Sequence, residues 1–172
     1  MSKKVLIHSL IFSPDGVSTA YLYNDIALRF QKEGYEVVVL STTPHFNVVE
    51  EQLAKQPLEW KIPGIYKESN FYGIKALRII GFVYWHIISF ILGLCIRDVS
   101  VIVSPSPPLS IGMLNLILGK LKGCKVIYNV QEIYPDILKK KTGPVIAFLK
   151  KVERCIYNRS DAVTTIDDVF YN

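Results

Sequence analysis

The sequence predicts an α/β fold with a doubly wound parallel sheet. Two observations carry this prediction. Short apolar runs such as Glu36–Ser41, whose centre is Val-Val-Val-Leu, are typical of parallel strands buried on both faces. A helical pattern follows most of these runs, so strands and helices alternate along the chain as in Rossmann-like folds. The 172 residues suit one domain, residues 1–172, and are enough to bury a substantial core.

The N-terminal part of the chain predicts one right-handed βαβ unit. A strand covers Lys4–Ser9, and the turn signal Pro14-Asp15-Gly16 follows it. A helix begins at a Ser18 or Thr19 cap, runs to Glu33 and ends at Gly34. Glu36–Ser41 forms the second strand. The side chains that we expect on the buried face of the helix are Leu22, Ile26, Ala27 and Phe30.

The pattern weakens after the second strand, where prolines interrupt it. We expect a short helix near Val48–Lys55 and a short strand near Ile65. We then expect a helix over Ile79–Ile96, a segment that contains no Asp, Glu, Lys or Arg. The length of this uncharged segment is about the minimum for a membrane-spanning helix. Polar and small residues, among them His86 and Ser89, fall along one side of this helix. A membrane-spanning helix would need no such stripe, so the pattern argues against a span. A core helix, an interfacial helix and a spanning helix remain alternatives.

The C-terminal part predicts further alternation of strands and helices. The strands cover Val99–Ser104, Lys125–Val130 and Ala162–Thr165. The first helix covers Leu109–Leu121 and ends at Gly123, and the second starts at Pro144 and runs to about Asn158. The side chains that we expect to point inward from the second helix are Val145, Phe148, Leu149, Val152 and Ile156.

Composition excludes several classes of protein. The apolar fraction of 50% excludes disorder, and a net charge of +5 without a dense basic block does not favour nucleic-acid binding. The three cysteines form no C-x-x-C motif and lie in apolar contexts, which suits buried thiols in a reducing, cytoplasmic compartment. The three histidines show no metal-ligand spacing. No G-x-G-x-x-G, P-loop or G-x-S-x-G motif occurs, so we expect no dinucleotide cofactor and no hydrolase.

Ligands bind outside the carboxyl ends of the strands in open α/β sheets, so the loops at those ends are the candidate site. The loop Ser13–Ser18 precedes a helix N-terminus, which can hold a phosphate or a sugar hydroxyl. It can equally be an ordinary turn that uses Gly16 for a positive φ. His45 follows the second strand and therefore lies at the same edge.

Two carboxylates follow the strand Lys125–Val130. Glu132 and Asp136 flank Tyr134-Pro135, and a carboxylate at this position can accept the proton of a nucleophilic hydroxyl. The alternatives are a surface acid for Glu132 and a helix cap for Asp136. Ser106 lies in the preceding proline-rich loop and can also cap a helix.

Five stretches, in order along the chain, resemble the N-terminal domain of family 4 glycosyltransferases of the GT-B fold, most closely those bacterial enzymes that build capsule, O-antigen or exopolysaccharide. Leu28–Thr42 resembles "L…GHEVxVxT", and Thr43–Asn47 resembles the loop after it. Ser104–Leu109 resembles the "sPPl" turn before a helix, and Val130–Asp136 resembles "xxDlWPd". Glu153–Thr164 resembles "E…y…aDxvt".

The resemblance implies a retaining transferase that moves a sugar from a nucleotide sugar to a polyprenyl-diphosphate-linked acceptor. This domain would form the acceptor side, with Glu132 and Asp136 orienting or deprotonating the acceptor hydroxyl. The remaining substrate-binding residues that it suggests are Asp15, Gly16, Val17, Ser18, His45, Pro105, Ser106 and Tyr134. Such an acceptor implies peripheral contact with the cytoplasmic face of the inner membrane. The lysine groups at 139–141 and 150–151 are either a solvated surface or part of that contact.

The sequence also departs from the family pattern. Asp15-Gly16 replaces the usual Gly-Gly, Glu132 replaces Asp, and Tyr134 replaces Trp. The chain stops where the linker to the donor-binding domain would begin, and nothing in it matches the E-x7-E motif of that domain. We therefore expect these 172 residues alone to transfer no sugar. A non-catalytic subunit that recruits acceptor or membrane, and a nucleotide-binding regulator, are the alternative functions.

Overall fold

The structure is a computed structural model that describes residues 3–43, 58–62, 75–132 and 143–166. Its fold class is α/β, and the fold is Rossmann-like, as predicted. Parallel strands alternate with helices, and most of the core consists of strand residues. The chain separates into two compact units, Met1–Val99 and Ser100–Asn172.

The first unit contains three parallel strands and two helices. The strands are β1 (Lys4–His8), β2 (Glu36–Thr42) and β3 (Leu58–Ile62), and the helices are α1 (Ser18–Lys32) and α2 (Lys75–Cys95). β2 pairs with both other strands, and the register sets Val5 opposite Val37 and Val38 opposite Leu58. The Val-Val-Val-Leu centre of β2 is fully or almost fully buried, as expected for a strand covered on both faces.

The second unit repeats the alternation. Its strands are β4 (Val99–Ser106), β5 (Lys125–Val130) and β6 (Ala162–Thr165), and its helices are α3 (Leu109–Lys122) and α4 (Pro144–Arg159). β5 pairs in parallel with β4 and with β6. Parallel pairing requires a crossover between neighbouring strands, and α3 and α4 supply these crossovers.

The predicted helix ends are confirmed where glycine or proline defines them. Gly34 follows α1 with a φ of +83°, and Gly123 ends α3 in the left-handed conformation with a φ of +65°. A side chain with a β-carbon rarely adopts this conformation, which explains why glycine stops both helices. Pro144 is the first residue of α4, where its missing N–H costs no hydrogen bond.

The predicted inward faces of two helices are partly wrong. Val145 and Phe148 of α4 are 68% and 64% exposed, and Glu153 is buried instead. Glu153 accepts a hydrogen bond from the Tyr157 hydroxyl at 3.0 Å, and this partner makes burial of its carboxylate tolerable. In α1 the buried side chains are Ala20, Tyr23 and Ala27, whereas the predicted Leu22, Ile26 and Phe30 are only half-buried.

Three smaller predictions also change. Val17 is the N-cap of α1, and no side chain caps the helix, so neither Ser18 nor Thr19 has the predicted role. The cysteine thiols are not buried, because Cys95 is exposed and the other two are half-buried. The helix predicted near Val48–Lys55 and the strand near Ile65 lie outside the described residues. No helix among the described residues is long and apolar enough to cross a membrane.

Candidate functional site

The loop after β1 is tied to the end of β2 by hydrogen bonds. The Thr42 hydroxyl donates to the carbonyl oxygen of Leu10 at 2.8 Å, and the Ser9 hydroxyl donates to the carbonyl oxygen of Ile11 at 2.6 Å. The backbone N–H of Asp15 donates to the carbonyl oxygen of Phe12 at 3.1 Å and closes a tight turn. These bonds define the path of the chain into the N-terminus of α1.

Burial within this loop differs sharply from residue to residue. Asp15 is fully buried, Gly16 and Val17 are half-buried, and Ser18 is exposed at the first position of α1. In this conformation the Asp15 carboxylate does not reach solvent. Ser18 is therefore the most exposed of these candidate residues.

The end of β4 differs from the prediction. The strand continues through Pro105 and Ser106, both of which are buried, two residues beyond the predicted end at Ser104. The peptide bonds preceding Pro107 and Pro108 are cis. Pro108 is the N-cap of α3, and no side chain caps this helix, so neither Ser106 nor Ser110 is its cap.

A backbone hydrogen bond joins the last residue of β4 to the loop that follows β5 and continues the pairing of these two strands. The N–H of Gln131 donates to the carbonyl oxygen of Ser106 at 3.2 Å. It places the carboxyl end of β4, where the candidate residues Pro105 and Ser106 lie, beside the residue that precedes Glu132. Glu132 is exposed, so its carboxylate is available to a ligand in solvent. His45, Tyr134 and Asp136 lie outside the described residues.

Polar side chains follow the same edge across β5 and β6. The Asn129 side-chain amide donates to the Thr164 hydroxyl at 2.9 Å, and the Gln131 side-chain amide donates to Oδ1 of Asn129 at 3.4 Å. Asn129 is only 6% exposed in a strand that is otherwise largely apolar. A buried polar side chain must be hydrogen-bonded to be tolerated, and this chain of amides meets that requirement.

Tyr128 and Ser106 lie on the opposite face of β4 and β5, toward α3 and α4. Both residues are buried, and their hydroxyls lie near each other, although neither makes a well-formed hydrogen bond within the described part of the chain. Burial raises the pKa of Tyr128 to about 12; the nearby Ser106 hydroxyl lowers this pKa in part, and the charge of Glu153 raises it further. The phenol therefore stays neutral at physiological pH and cannot act as a base.

A side-chain hydrogen bond on this face connects β4 to α3. The Asn115 amide donates to the Ser104 hydroxyl at 2.8 Å, and both side chains are fully buried. Sequence reasoning missed Asn115, Asn129 and Tyr128. Asparagine within an apolar run is the signal that could have found the first two, because a buried amide needs a specific partner.

Two cavities in the described structure lie away from all of these residues. One of about 430 Å³ is in the second unit, near Cys124 and Val126 at the amino end of β5, which is the edge opposite Glu132. The other, of about 450 Å³, lies beside Phe30 and Tyr35. Neither contains a predicted site residue.

The fold and these loops define the class of protein: an α/β protein of Rossmann-like type with polar loops at the carboxyl ends of its parallel strands. No family model and no curated protein matches the chain. Thirteen chains of solved structures do match. One, described as "Structure of MT0777", is 12% identical with a TM-score of 0.46, over 96% of this chain and 86% of that chain. A match with so low a TM-score says nothing further about the fold or the function of this chain.

Proposed function

We propose that this chain is the acceptor-side domain of a retaining glycosyltransferase. The enzyme transfers a sugar from a nucleotide sugar to a lipid-linked glycan acceptor in cell-surface polysaccharide synthesis. The observation that carries the proposal is the Gln131–Ser106 hydrogen bond. It joins the two stretches, Ser104–Leu109 and Val130–Asp136, that resemble the acceptor-side motifs of family 4 glycosyltransferases, and a ligand-binding edge of an α/β sheet is expected there.

Glu132 has the central chemical role in this proposal. Its exposed carboxylate orients the attacking hydroxyl of the acceptor or accepts its proton. The neighbouring Gln131 and Ser106 position it through their backbone bond. The hydroxyl attacks the anomeric carbon, and the nucleoside diphosphate leaves. Stabilising that leaving group requires basic side chains and a helix N-terminus of a second, donor-binding domain.

The proposal also includes a location. A polyprenyl-diphosphate-linked acceptor lies in a membrane, so the protein would work at the cytoplasmic face of the inner membrane. The exposed basic side chains of α4, Lys150, Lys151 and Arg154, are compatible with an anionic lipid surface.

Sugar transfer by the protein translated from the complete reading frame tests the proposal. Nucleotide sugars are screened with a short-chain prenyl-diphosphate-linked sugar as acceptor, and release of nucleoside diphosphate is followed. We expect release to depend on the acceptor. Glu132→Gln keeps the shape of the side chain but removes its charge, and we expect it to lower kcat by roughly 10²-fold or more.

Glu33→Gln is the matched control, because Glu33 is an exposed carboxylate at the opposite end of a helix from any candidate loop. It should turn over like the unsubstituted protein. Equal rates for Glu132→Gln and the control would exclude the role of Glu132. Acceptor binding without transfer of any sugar would favour the non-catalytic subunit. Donor-dependent turnover by residues 1–172 alone would contradict the need for a second domain.

A further inference from the structure

Helix α2 buries one narrow stripe of side chains and exposes most of its other large apolar side chains. Gly81, Trp85, Ser89 and Gly93 follow one another at intervals of four residues, and all four are buried. The Trp85 ring lies 5.1 Å from the ring of His8 on β1, and the helix packs against β2 and β3. The two glycines belong to the stripe that faces the strands. Because glycine has no side chain, the helix can lie close to the strands at these positions.

The opposite face of α2 presents seven large apolar side chains to solvent. Their exposed fractions range from 37% to 64%. They are Ile79, Ile80, Val83, Tyr84, Ile87, Ile91 and Leu94, and we call them the apolar face of α2. Such a large exposed apolar patch marks an interaction surface, because single exposed apolar residues are common but contiguous ones are not.

The remaining polar groups of this segment do not interrupt the apolar face. The His86 ring contacts the carbonyl oxygen of Phe82 through Nδ1 at 2.7 Å, so in its neutral form it donates to the backbone of its own helix. The Ser89 hydroxyl donates to the carbonyl oxygen of His86 at 3.2 Å. The one polar atom on the apolar face is therefore the Tyr84 hydroxyl, and tyrosine is an amphipathic residue suited to a membrane–water interface.

We infer that the apolar face of α2 binds the surface of an anionic lipid bilayer, with the helix axis parallel to the membrane plane. The charge distribution supports a lipid partner. No Asp or Glu occurs from Ile79 through Arg97, the exposed Arg97 lies two residues beyond the end of the helix, and the chain carries a net charge of +5. An amphipathic helix of this kind inserts its apolar side into the boundary between headgroups and acyl chains.

The composition of the face argues against a protein partner, including a second copy. Protein interfaces are enriched in Trp, Tyr, Arg and Met, and they combine apolar contacts with several hydrogen bonds. This face offers six aliphatic side chains, one tyrosine and no charged group. Lipid chains need no hydrogen bonds, so they match such a surface without leaving polar groups unpaired. The inference does not depend on glycosyl transfer, because lipid binding is measured without a donor sugar.

Cosedimentation of the full chain with vesicles of phosphatidylcholine and phosphatidylglycerol tests the inference. Ile87→Gln combined with Ile91→Gln removes two half-exposed side chains one turn apart on the apolar face. The matched control is Ile117→Gln with Leu121→Gln, because these residues have the same spacing and similar exposure on α3. Circular dichroism and light scattering report whether each variant is folded and monomeric.

We expect the unsubstituted chain and the α3 variant to sediment with the vesicles. The α2 variant should lose affinity by at least roughly tenfold. Binding should persist at about 0.5 M salt, since apolar insertion is much less screened than surface charge. Equal sedimentation of both variants would overturn the inference. So would a dimer that only the α2 substitutions dissociate, or protein that stays with the vesicles after alkaline extraction, as a spanning helix would.

Discussion

The ring of Tyr128 lies directly against the backbone of Gly112. A β-carbon at position 112 would come within 2.6 Å of Cε2 of Tyr128 and 3.1 Å of Cδ1 of Ile156. Gly112 therefore lets α3 approach β5 closely, as Gly119 of the same helix does against Val126. The contact lies in the core of the second unit, where Leu109, Tyr128, Val130 and Ile156 form one buried cluster.

Gly112→Ala should destabilise the protein, although alanine is the better helix former. Overpacking against a buried ring costs about 1–3 kcal/mol of unfolding free energy, measured by denaturant titration. Tyr128→Leu removes the ring that the new methyl group would meet. The double variant should consequently lose less stability than the sum of the two single losses. Strictly additive losses would contradict the contact.

Because the Tyr128 hydroxyl is buried, we expect the free energy of unfolding to fall at alkaline pH. Its pKa is about 12 in the folded protein and about 10 when unfolded, so only the unfolded state loses this proton between those values. The contribution of the neutral phenol to the free energy of unfolding is fully present below about pH 10. It is lost as pH rises toward 12, and the total loss is about 2–3 kcal/mol. Tyr128→Phe should show a smaller loss over this range in denaturant unfolding.

The same variant tests whether the hydroxyl is unpaired at neutral pH. An unpaired buried hydroxyl contributes nothing to offset its desolvation, so Tyr128→Phe should leave the unfolding free energy unchanged or raise it slightly. A clear loss of stability at neutral pH would show that the hydroxyl has a hydrogen-bond partner in solution.

His86 makes the free energy of unfolding depend on pH in the opposite direction, because here stability is lost as the pH falls. Burial lowers the pKa of His86 below its usual 6.5, and its bond to the carbonyl oxygen of Phe82 offsets this only in part. The unfolded state therefore binds this proton more readily, and the stabilising contribution is lost as pH falls through about 6.5 and below. A site-resolved NMR titration of the imidazole should give a value under 6.5, and a higher one would contradict the structure.

Asp161 holds the beginning of β5 through two bonds to Val126. Its carboxylate accepts from the N–H of Val126 at 2.8 Å, and its own N–H donates to the Val126 carbonyl oxygen at 2.9 Å. Asp161→Ala removes the acceptor and should cost about 1–3 kcal/mol in thermal or denaturant unfolding. Asp161→Asn keeps an acceptor oxygen and should cost clearly less. Equal losses would mean that the charge, rather than the bond, matters.

The strands were largely predictable because local sequence determines them. β5 and β6 have their predicted bounds, and Gly123 and Pro144 define helix ends by backbone restrictions that operate within a few residues. The helix faces were less predictable. Periodicity identifies an apolar stripe but not what covers it, so Phe148 was assigned inward although it is exposed.

The candidate site was predictable as an edge but not as a set of side chains. The motif positions locate the loops after β4 and β5, whereas the burial of Asp15 depends on how its loop folds back. The Asn129–Thr164 and Asn115–Ser104 bonds join residues that are 35 and 11 positions apart. Such pairs depend on the packing of elements, which hydrophobic patterns do not specify.

Amide chemical-shift mapping tests the central claim most directly. The 172-residue chain is titrated with a water-soluble, short-chain prenyl-diphosphate-linked sugar and, separately, with nucleoside diphosphates. An acceptor-side domain should bind the lipid-linked sugar and shift the amides of Ser106, Gln131 and Glu132, while nucleotides leave them unchanged. Tight binding of a nucleotide, with no response of these amides to the acceptor, would contradict the account and favour a nucleotide-binding regulator.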